Sequence, residues 1–228
     1  MSRPALANAM LNNQKKQKTT ASERKLAKAK AIELLNCVLL AIDNEDSFLD
    51  ADNAGRYLNS VKSILAEGAD PSLCVKTPVV ACHTNAIIIA AGSASQECLR
   101  ILLDSPLANT NVFDTAGDCA LIYAVKKGET DQLRQLLPFA DVNLQHPRSG
   151  NTALMMAIQY ENFEACKILT PGSDLSISNV QGATAIALAE SSTVEIRDFF
   201  QAEADRQALE QSCPRGSPKD NSTQRLRL

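Results

Sequence analysis

A pattern that recurs every 32 to 34 residues constrains this chain more than any other feature. Four six-residue segments have small and apolar residues in matching positions, and their second residues are Ala86, Ala120, Ala153 and Ala185. These alanines are 34, 33 and 32 residues apart. A fixed period of this length indicates a stack of similar units, because each unit can bury its apolar surface only against its neighbours.

Two further elements recur in register with the first. Each six-residue segment is followed by apolar residues at i, i+3 and i+4, which is the stripe of an amphipathic helix, at 98–103, 133–137, 165–169 and 196–200. An Asp- or Asn-containing turn pattern also recurs, at 69–73, 108–112, 140–144 and 173–177. The sequence therefore predicts two short helices and a turn in each unit.

This unit resembles the ankyrin repeat. The residues Phe-Ala-Asp-Val-Asn-Leu at 139–144 and Gly-Ala-Asp-Pro at 68–71 are similar to that family's repeat junction, and Gly stands two residues before three of the four segments. The resemblance covers residues 31–201, as an irregular first repeat followed by four clearer ones. It implies an all-α fold, an ankyrin-repeat solenoid of stacked helix-turn-helix units with β-turn fingers.

The repeats depart from the family pattern at two positions of the first helix. Alanine stands where the family has Pro, and the family's His is replaced by Ile88, Ile122, Met155 and Ala187. That His links neighbouring loops by hydrogen bonds in the family. We therefore expect this array to be less stable than one with the consensus sequence.

Charge and composition both change along the chain, and together they predict four segments. Residues 1–30 carry a net charge of +7, whereas residues 31–228 carry −10, which argues against nucleic-acid binding by the acidic body. We predict a basic, partly disordered leader at 1–30, the array at 31–201, a polar capping helix at 202–212 and a disordered tail at 213–228. The capping-box sequence at 20–23 predicts a helix that begins near residue 21.

In the first repeat we expect helices at 31–42 and 56–66, joined by a long acidic loop at 43–55.

Cysteine usage and hydropathy bear on the cellular compartment. Seven cysteines are an odd number, and no two of them form a Cys-x-x-Cys pair, so we interpret them as reduced thiols of a reducing compartment. Cys98, Cys119 and Cys166 fall in repeat positions that predict a buried location. No apolar run is long enough to span a membrane, which predicts no membrane partner. We therefore predict a cytoplasmic protein, and the basic clusters at 15–18 and 24–25 keep nuclear import open as an alternative.

The sequence lacks recognisable catalytic motifs, which predicts a protein that is not an enzyme. The chain contains no phosphate-binding loop, nucleophile elbow or metalloprotease motif, and its only histidines are His83 and His146. We predict no catalytic residue, no cofactor and no small-molecule substrate. A metal-binding or enzymatic role for Cys74, Cys82 and His83 is a second alternative. The gap of eight residues between the two cysteines exceeds the usual ligand spacing and favours no metal site.

The resemblance implies that a partner protein binds the loop tips and the exposed side of the first helices. We call this surface the concave face. Carried over by repeat position, the predicted partner-binding residues are Phe113, Thr115, Asp118, Lys126, Lys127, Arg148, Asn151, Tyr160, Val180 and Gln181, and the same face would include Ala116, Ser149, Gln159 and Ala183. Phe, Tyr and Arg are the residue types that most often anchor interfaces.

A second candidate patch lies in the insertion of the first repeat. Its apolar residues are Val75, Pro78, Val79 and Val80, and an apolar loop of this kind is typical of a docking site or of a lid that folds back on the core. The predicted function is a non-enzymatic interaction module that acts as an adaptor, inhibitor or targeting subunit. An alternative keeps the fold but makes the chain an effector that an intracellular bacterium secretes into a host cell.

Overall fold

The fold is a row of helix pairs. A computed structural model describes residues 21–45, 51–77, 80 and 83–212. The helices, in chain order, are α1 (Ala21–Glu45), α2 (Ala51–Ala66), α3 (Ala86–Ala91), α4 (Gln96–Leu103), α5 (Ala120–Lys127), α6 (Thr130–Leu136), α7 (Ala153–Gln159), α8 (Phe163–Leu169), α9 (Ala185–Glu190) and α10 (Val194–Ser212). A short 3₁₀ helix, Thr170–Gly172, follows α8. The pairs α3–α4, α5–α6, α7–α8 and α9–α10 coincide with the four sequence repeats, which confirms the predicted solenoid.

Polar side chains fix where the first helices begin. The side-chain oxygens of Asn85, Thr152 and Thr184 accept hydrogen bonds from the backbone N–H three residues later, at 2.9, 3.4 and 3.3 Å. Each bond satisfies a donor that the first helical turn leaves without a partner. Cys119 holds the same position before α5 and forms no such capping bond. Three of the four first helices therefore begin at a side-chain cap.

Stacking of the first helices builds one continuous core. Helices α3, α5, α7 and α9 contact their neighbours in order, and the second helices pack along the outer side. Leu99, Leu121 and Leu154 are almost completely buried in this core. Cys98, Cys119 and Cys166 are buried as predicted, and they are free thiols.

The first repeat differs from its sequence prediction. Helix α1 runs from Ala21 to Glu45 and α2 begins at Ala51, so the predicted acidic loop at 43–55 is wrong at both of its ends. Only residues 46–50 separate the two helices, and these lie outside the described residues. Helices α1 and α2 pack against each other. Tertiary packing of a helix outweighs low intrinsic helix propensity at single positions, here those of Asp52, Asn53 and Gly55.

Apolar packing replaces the missing histidines. Ile88, Ile122 and Met155 are buried at the positions where the family has His, whereas Ala187 is exposed. Side chains in the turns after the second helices connect neighbouring repeats instead. Asn143 Oδ1 accepts a hydrogen bond from the N–H of Asp174 at 2.8 Å, and Asn111 and Ser72 act in the same way on Asp141 and Asn109, at 2.9 and 2.6 Å. The reduced stability of the array stays a prediction.

The last helix combines the final repeat with the predicted capping segment. In α10, Ile196 and Phe200 are buried, and Phe199 contacts Phe163 of α8 edge to face, with ring centroids 5.8 Å apart. Residues 202–212 continue this helix without a break, and the tail at 213–228 lies outside the described residues, as does the leader before Ala21. Within the described parts of the chain, no helix has both the length and the apolar character needed to cross a membrane.

Candidate functional site

Four loops connect the repeats on the side where the first helices begin, and we call them fingers 1 to 4. They span residues 75–84, 112–119, 144–151 and 177–184. In fingers 2, 3 and 4, a side chain at one repeat position accepts hydrogen bonds from two backbone N–H groups of its own finger, at 2.8 to 3.2 Å. These residues are Asp114, His146 and Asn179. The side-chain bonds give each finger a defined shape before any partner binds.

The fingers are also connected to one another. The backbone N–H of Thr115 donates to the carbonyl oxygen of His83 at 3.1 Å, and that of Val180 donates to Ser149 at 3.0 Å. Between fingers 2 and 3, the guanidinium Nη2 of Arg148 donates to the carbonyl oxygen of Thr115 at 3.2 Å. The imidazole of His146 lies against Gly117 so closely that a Cβ there would stand 2.6 Å from Nε2. Each finger is therefore joined to the next through its described residues.

A pocket of about 400 Å³ lies between fingers 3 and 4 and reaches the end of α7. Its lining includes four predicted partner-binding residues, Arg148, Asn151, Val180 and Gln181, together with Ser149, Gln159 and Asn179. A smaller pocket of about 200 Å³ adjoins it and shares Gln159. The structure thus brings four predicted residues of fingers 3 and 4 together around one groove.

Carboxamide side chains form a hydrogen-bonded chain at the base of this pocket. Nδ2 of Asn179 donates to Oδ1 of Asn151 at 2.9 Å, and Nδ2 of Asn151 donates to Oε1 of Gln159 at 3.0 Å. Asn151 and Asn179 are only 5% and 7% exposed. Because buried polar groups must be satisfied by such bonds, these two residues are better described as the floor of the pocket than as contact residues at its rim.

The predicted residues of finger 2 and helix α5 are dispersed rather than grouped around a pocket. Thr115 and Lys127 are exposed, and the Lys127 Nζ lies 5.5 Å from the centroid of the Tyr123 ring. Asp118 is 5% exposed and forms an ion pair of 2.5 Å with Lys126, so these two side chains neutralise each other. Phe113 is half-buried against the core. This packing makes Phe113 a structural residue at least as much as a surface one.

Two of the predicted partner-binding residues, one aliphatic and one aromatic, are exposed. Val180, at the tip of finger 4, is 74% exposed, and Tyr160, directly after α7, is 53% exposed. Asn179 was missed by the sequence prediction. It follows His146 by 33 residues and His146 follows Asp114 by 32, so the repeat register itself marks this position.

The second candidate patch divides into buried and undescribed parts. Val75 is 4% exposed and pairs with Thr84 through two backbone hydrogen bonds, of 2.8 and 3.1 Å. It belongs to the core and not to an exposed patch, because the base of finger 1 folds onto the first repeat. Val80 is half-buried, and its N–H donates to Oγ1 of Thr77 at 3.3 Å. Pro78 and Val79 lie outside the described residues.

The cysteines show no feature of a reactive or metal-binding site where the structure describes them. The Cys74 thiol donates to the carbonyl oxygen of Phe113 at 3.6 Å, and Cys82 lies outside the described residues. Burial raises the pKa of Cys119, and it raises that of Cys166 to about 12. Both thiols are therefore protonated and unreactive near neutral pH. Groups of three or more His, Cys, Asp or Glu suited to a metal ion are absent from the described part of the chain.

Comparisons with known proteins identify the architecture. A family model of ankyrin repeats in three copies matches residues 47–146 and 128–205, which together exceed half of the chain. The chain belongs to the ankyrin-repeat family, whose repeats are protein–protein interaction modules.

A solved structure gives the same result for the fold. The ankyrin repeat domain of Bcl-3, described as a unique member of the IkappaB protein family, matches 65% of this chain and 67% of its own chain. The TM-score is 0.57 and the sequence identity is 20%. At this identity the likeness concerns the fold alone.

Proposed function

We propose that this chain is a non-enzymatic module that binds a partner protein through its finger tips and concave face, as an adaptor, inhibitor or targeting subunit. The observation that carries the proposal is the groove between fingers 3 and 4. It gathers Arg148, Asn151, Val180 and Gln181 around a pocket of about 400 Å³, and the exposed Tyr160 directly follows Gln159, which lines the same pocket. An arginine, an aromatic ring and an exposed aliphatic side chain next to a pocket are typical of an interface centre.

The rigidity of the fingers supports this proposal. Asp114, His146 and Asn179 hold the shape of their own fingers, and the backbone bonds of Thr115 and Val180 hold neighbouring fingers together. A surface that is ordered before binding loses little conformational entropy on association. The fingers therefore favour recognition through a fixed arrangement of side chains.

The test compares two triple variants of the full chain. Arg148→Ala, Tyr160→Ala and Val180→Ala remove exposed side chains of the concave face. The matched control Leu107→Ala, Arg134→Ala and Phe139→Ala removes the same kinds of side chain from the second helices and the turns behind them, where all three are exposed. A partner would be isolated by affinity capture from cell lysate and purified. Its affinity for the wild-type chain and both variants would then be measured by calorimetry.

We expect the concave-face variant to lose at least about tenfold in affinity and the control variant to retain it, because interface anchors dominate binding energy. Circular dichroism spectra of both variants should match the wild type, since all six side chains are exposed. A partner that binds the concave-face variant at full strength but not the control variant would show that another surface is the binding site.

A further inference from the structure

The carboxamide chain under fingers 3 and 4 has a fixed direction. Oδ1 of Asn179 accepts the backbone N–H groups of Gln181 and Ala183 at 3.0 and 2.9 Å, which a reversed amide could not do. The Nδ2 of Asn179 must therefore face Asn151, whose Oδ1 accepts from it. The Nδ2 of Asn151 must then face Oε1 of Gln159. Backbone geometry in finger 4 thus decides the orientation of an amide at the end of α7.

The consequence is that the pocket presents hydrogen-bond donors to a ligand. The Nε2 group of Gln159 is left at the free end of the chain, on an exposed residue that lines both pockets. Arg148 uses one guanidinium nitrogen on the carbonyl oxygen of Thr115 and forms no ion pair with a described carboxylate. None of the described residues that line the larger pocket is acidic. A ligand that fits these groups must supply acceptors and negative charge.

The cationic lining of this pocket differs in sign from the net charge of the body. Residues 31–228 contain 25 acidic and 15 basic residues, so the body repels acidic partners in general. Of the two other basic residues predicted on this face, Lys126 is neutralised by Asp118, and Lys127 lies over the Tyr123 ring on α5, outside the pocket lining. Arg148 is therefore a local cation that an acidic group can reach, and arginine binds carboxylates in a two-pronged geometry.

The adjoining pocket extends the site away from the fingers. It is lined by Ile158, Leu188, Ser191 and Ser192 as well as Gln159 and Glu161, and the hydroxyl oxygen of Ser192 is buried without a hydrogen-bond partner. Helix α7 has seven residues and is about 10 Å long, which about three residues of an extended peptide would span. Glu161 at this far end would repel a carboxylate, so an acidic ligand group has its favourable position only at Arg148.

We propose that this groove binds an extended segment of a partner protein whose Asp or Glu side chain is held by Arg148 and Gln159. An apolar side chain about three residues away contacts Leu188. This proposal rests on the proposed function and specifies the chemistry of the partner. The single guanidinium matches the single charge of one carboxylate.

The experiment selects binding peptides on three full-length chains. A displayed library of random dodecapeptides is selected on the wild type, on Arg148→Glu and on the control Arg56→Glu, which reverses an exposed charge on α2. The most frequent wild-type peptide is then synthesised. Its affinity is measured for the wild type, Arg148→Gln, Gln159→Glu and the concave-face triple variant.

We expect wild-type peptides to share an Asp or Glu with an apolar residue about three positions away, and Arg56→Glu to select the same peptides. Arg148→Glu should select a basic residue at the acidic position. Arg148→Gln and Gln159→Glu should each weaken the synthetic peptide at least about tenfold, because one removes the cation and the other replaces the donor with a carboxylate.

Other outcomes separate the two proposals. The proposed carboxylate-binding site would be contradicted if the selected peptides shared no acidic residue. It would also be contradicted if they bound the Arg148→Gln variant at full strength. If such peptides still lose affinity for the concave-face triple variant, the proposed function stands alone. If that variant also binds them fully, both proposals fail. A library that yields no binding peptide would also overturn the carboxylate site.

Discussion

Three different side chains perform one structural role in successive fingers. Asp114, His146 and Asn179 share a repeat position, and each accepts hydrogen bonds from backbone N–H groups of its own finger. The position requires a short polar side chain with an acceptor atom, not a particular residue type. In finger 3 the acceptor is the Nδ1 atom of the imidazole, which takes the N–H groups of Arg148 and Ser149.

Burial of Cys166 makes stability depend on pH in the alkaline range. Its pKa is raised from 9.0 to about 12 in the folded protein, so the folded thiol stays protonated at a pH at which the unfolded thiol ionises. Raising the pH above 9 therefore favours the unfolded chain. We expect this thiol to lower the free energy of unfolding by about 1 kcal/mol per pH unit between pH 9 and 10.5.

Urea unfolding at pH 7.5, 9 and 10.5 checks this expectation. The wild type should lose more stability with rising pH than Cys166→Ala, and the comparison at pH 7.5 gives the separate cost of the shortened side chain. Parallel pH dependences of the two proteins would contradict a raised pKa.

The fingers depend on glycines that differ in their surroundings. Gly150 and Gly182 occupy the same position in fingers 3 and 4, with φ of 68° and 79°. A Cβ at Gly150 would lie 2.8 Å from the backbone nitrogen of Val180, whereas a Cβ at Gly182 would meet nothing within 4 Å. A non-glycine residue would strain the backbone at both positions, but only at Gly150 would its Cβ also clash with the next finger.

Alanine substitutions at these two glycines distinguish the cost of the left-handed backbone from the cost of a clash with the next finger. Gly182→Ala should cost about 1 kcal/mol of unfolding free energy, the usual penalty for a left-handed backbone. Gly150→Ala should cost about 3 kcal/mol or more, since finger 4 must move away. Circular dichroism with urea measures both. Equal costs would show that fingers 3 and 4 are not in close contact.

The helix pairs could be predicted from sequence because their signal is repeated four times. The boundaries of α2 could not, since residues 51–55 resemble a loop by composition but belong to a helix that packs against α1. At the site, the repeat register identified exposed tip residues such as Val180. It could not show that Asp118 and Asn151 are buried, because their burial depends on contacts formed after folding with residues distant from their own finger tips.

The array is closed at its C-terminal end by the first part of α10. Ile196 and Phe200 are buried there, and Phe199 contacts Phe163 of the preceding repeat. Farther along the helix, Glu203 and Ala204 are half-buried and the adjacent residues are exposed. Stability in such a stack is carried by contacts between neighbouring units. The apolar contacts of 196–200 should therefore matter more than the polar helix that follows them.

Two truncated chains test this expectation. A chain that ends at Gln201 should have a Tm within a few degrees of the full chain, because it retains the buried side chains. A chain that ends at Thr193 should lose about 10 °C or more, since the apolar surface under Ile196 and Phe200 becomes exposed. Thermal unfolding by circular dichroism compares them. If the chain ending at Gln201 melts as early as the shorter one, residues 202–212 act as the essential cap.

The directed amide chain has a consequence for engineering with this protein. The orientation of Gln159, on helix α7, is determined by backbone atoms of finger 4 through Asn179 and Asn151. A repeat transplanted without its downstream neighbour would keep its helices but lose the orientation of that amide. Single repeats of this protein therefore cannot be exchanged freely. Two adjacent repeats are the smallest unit that would keep this binding surface when transferred to another protein.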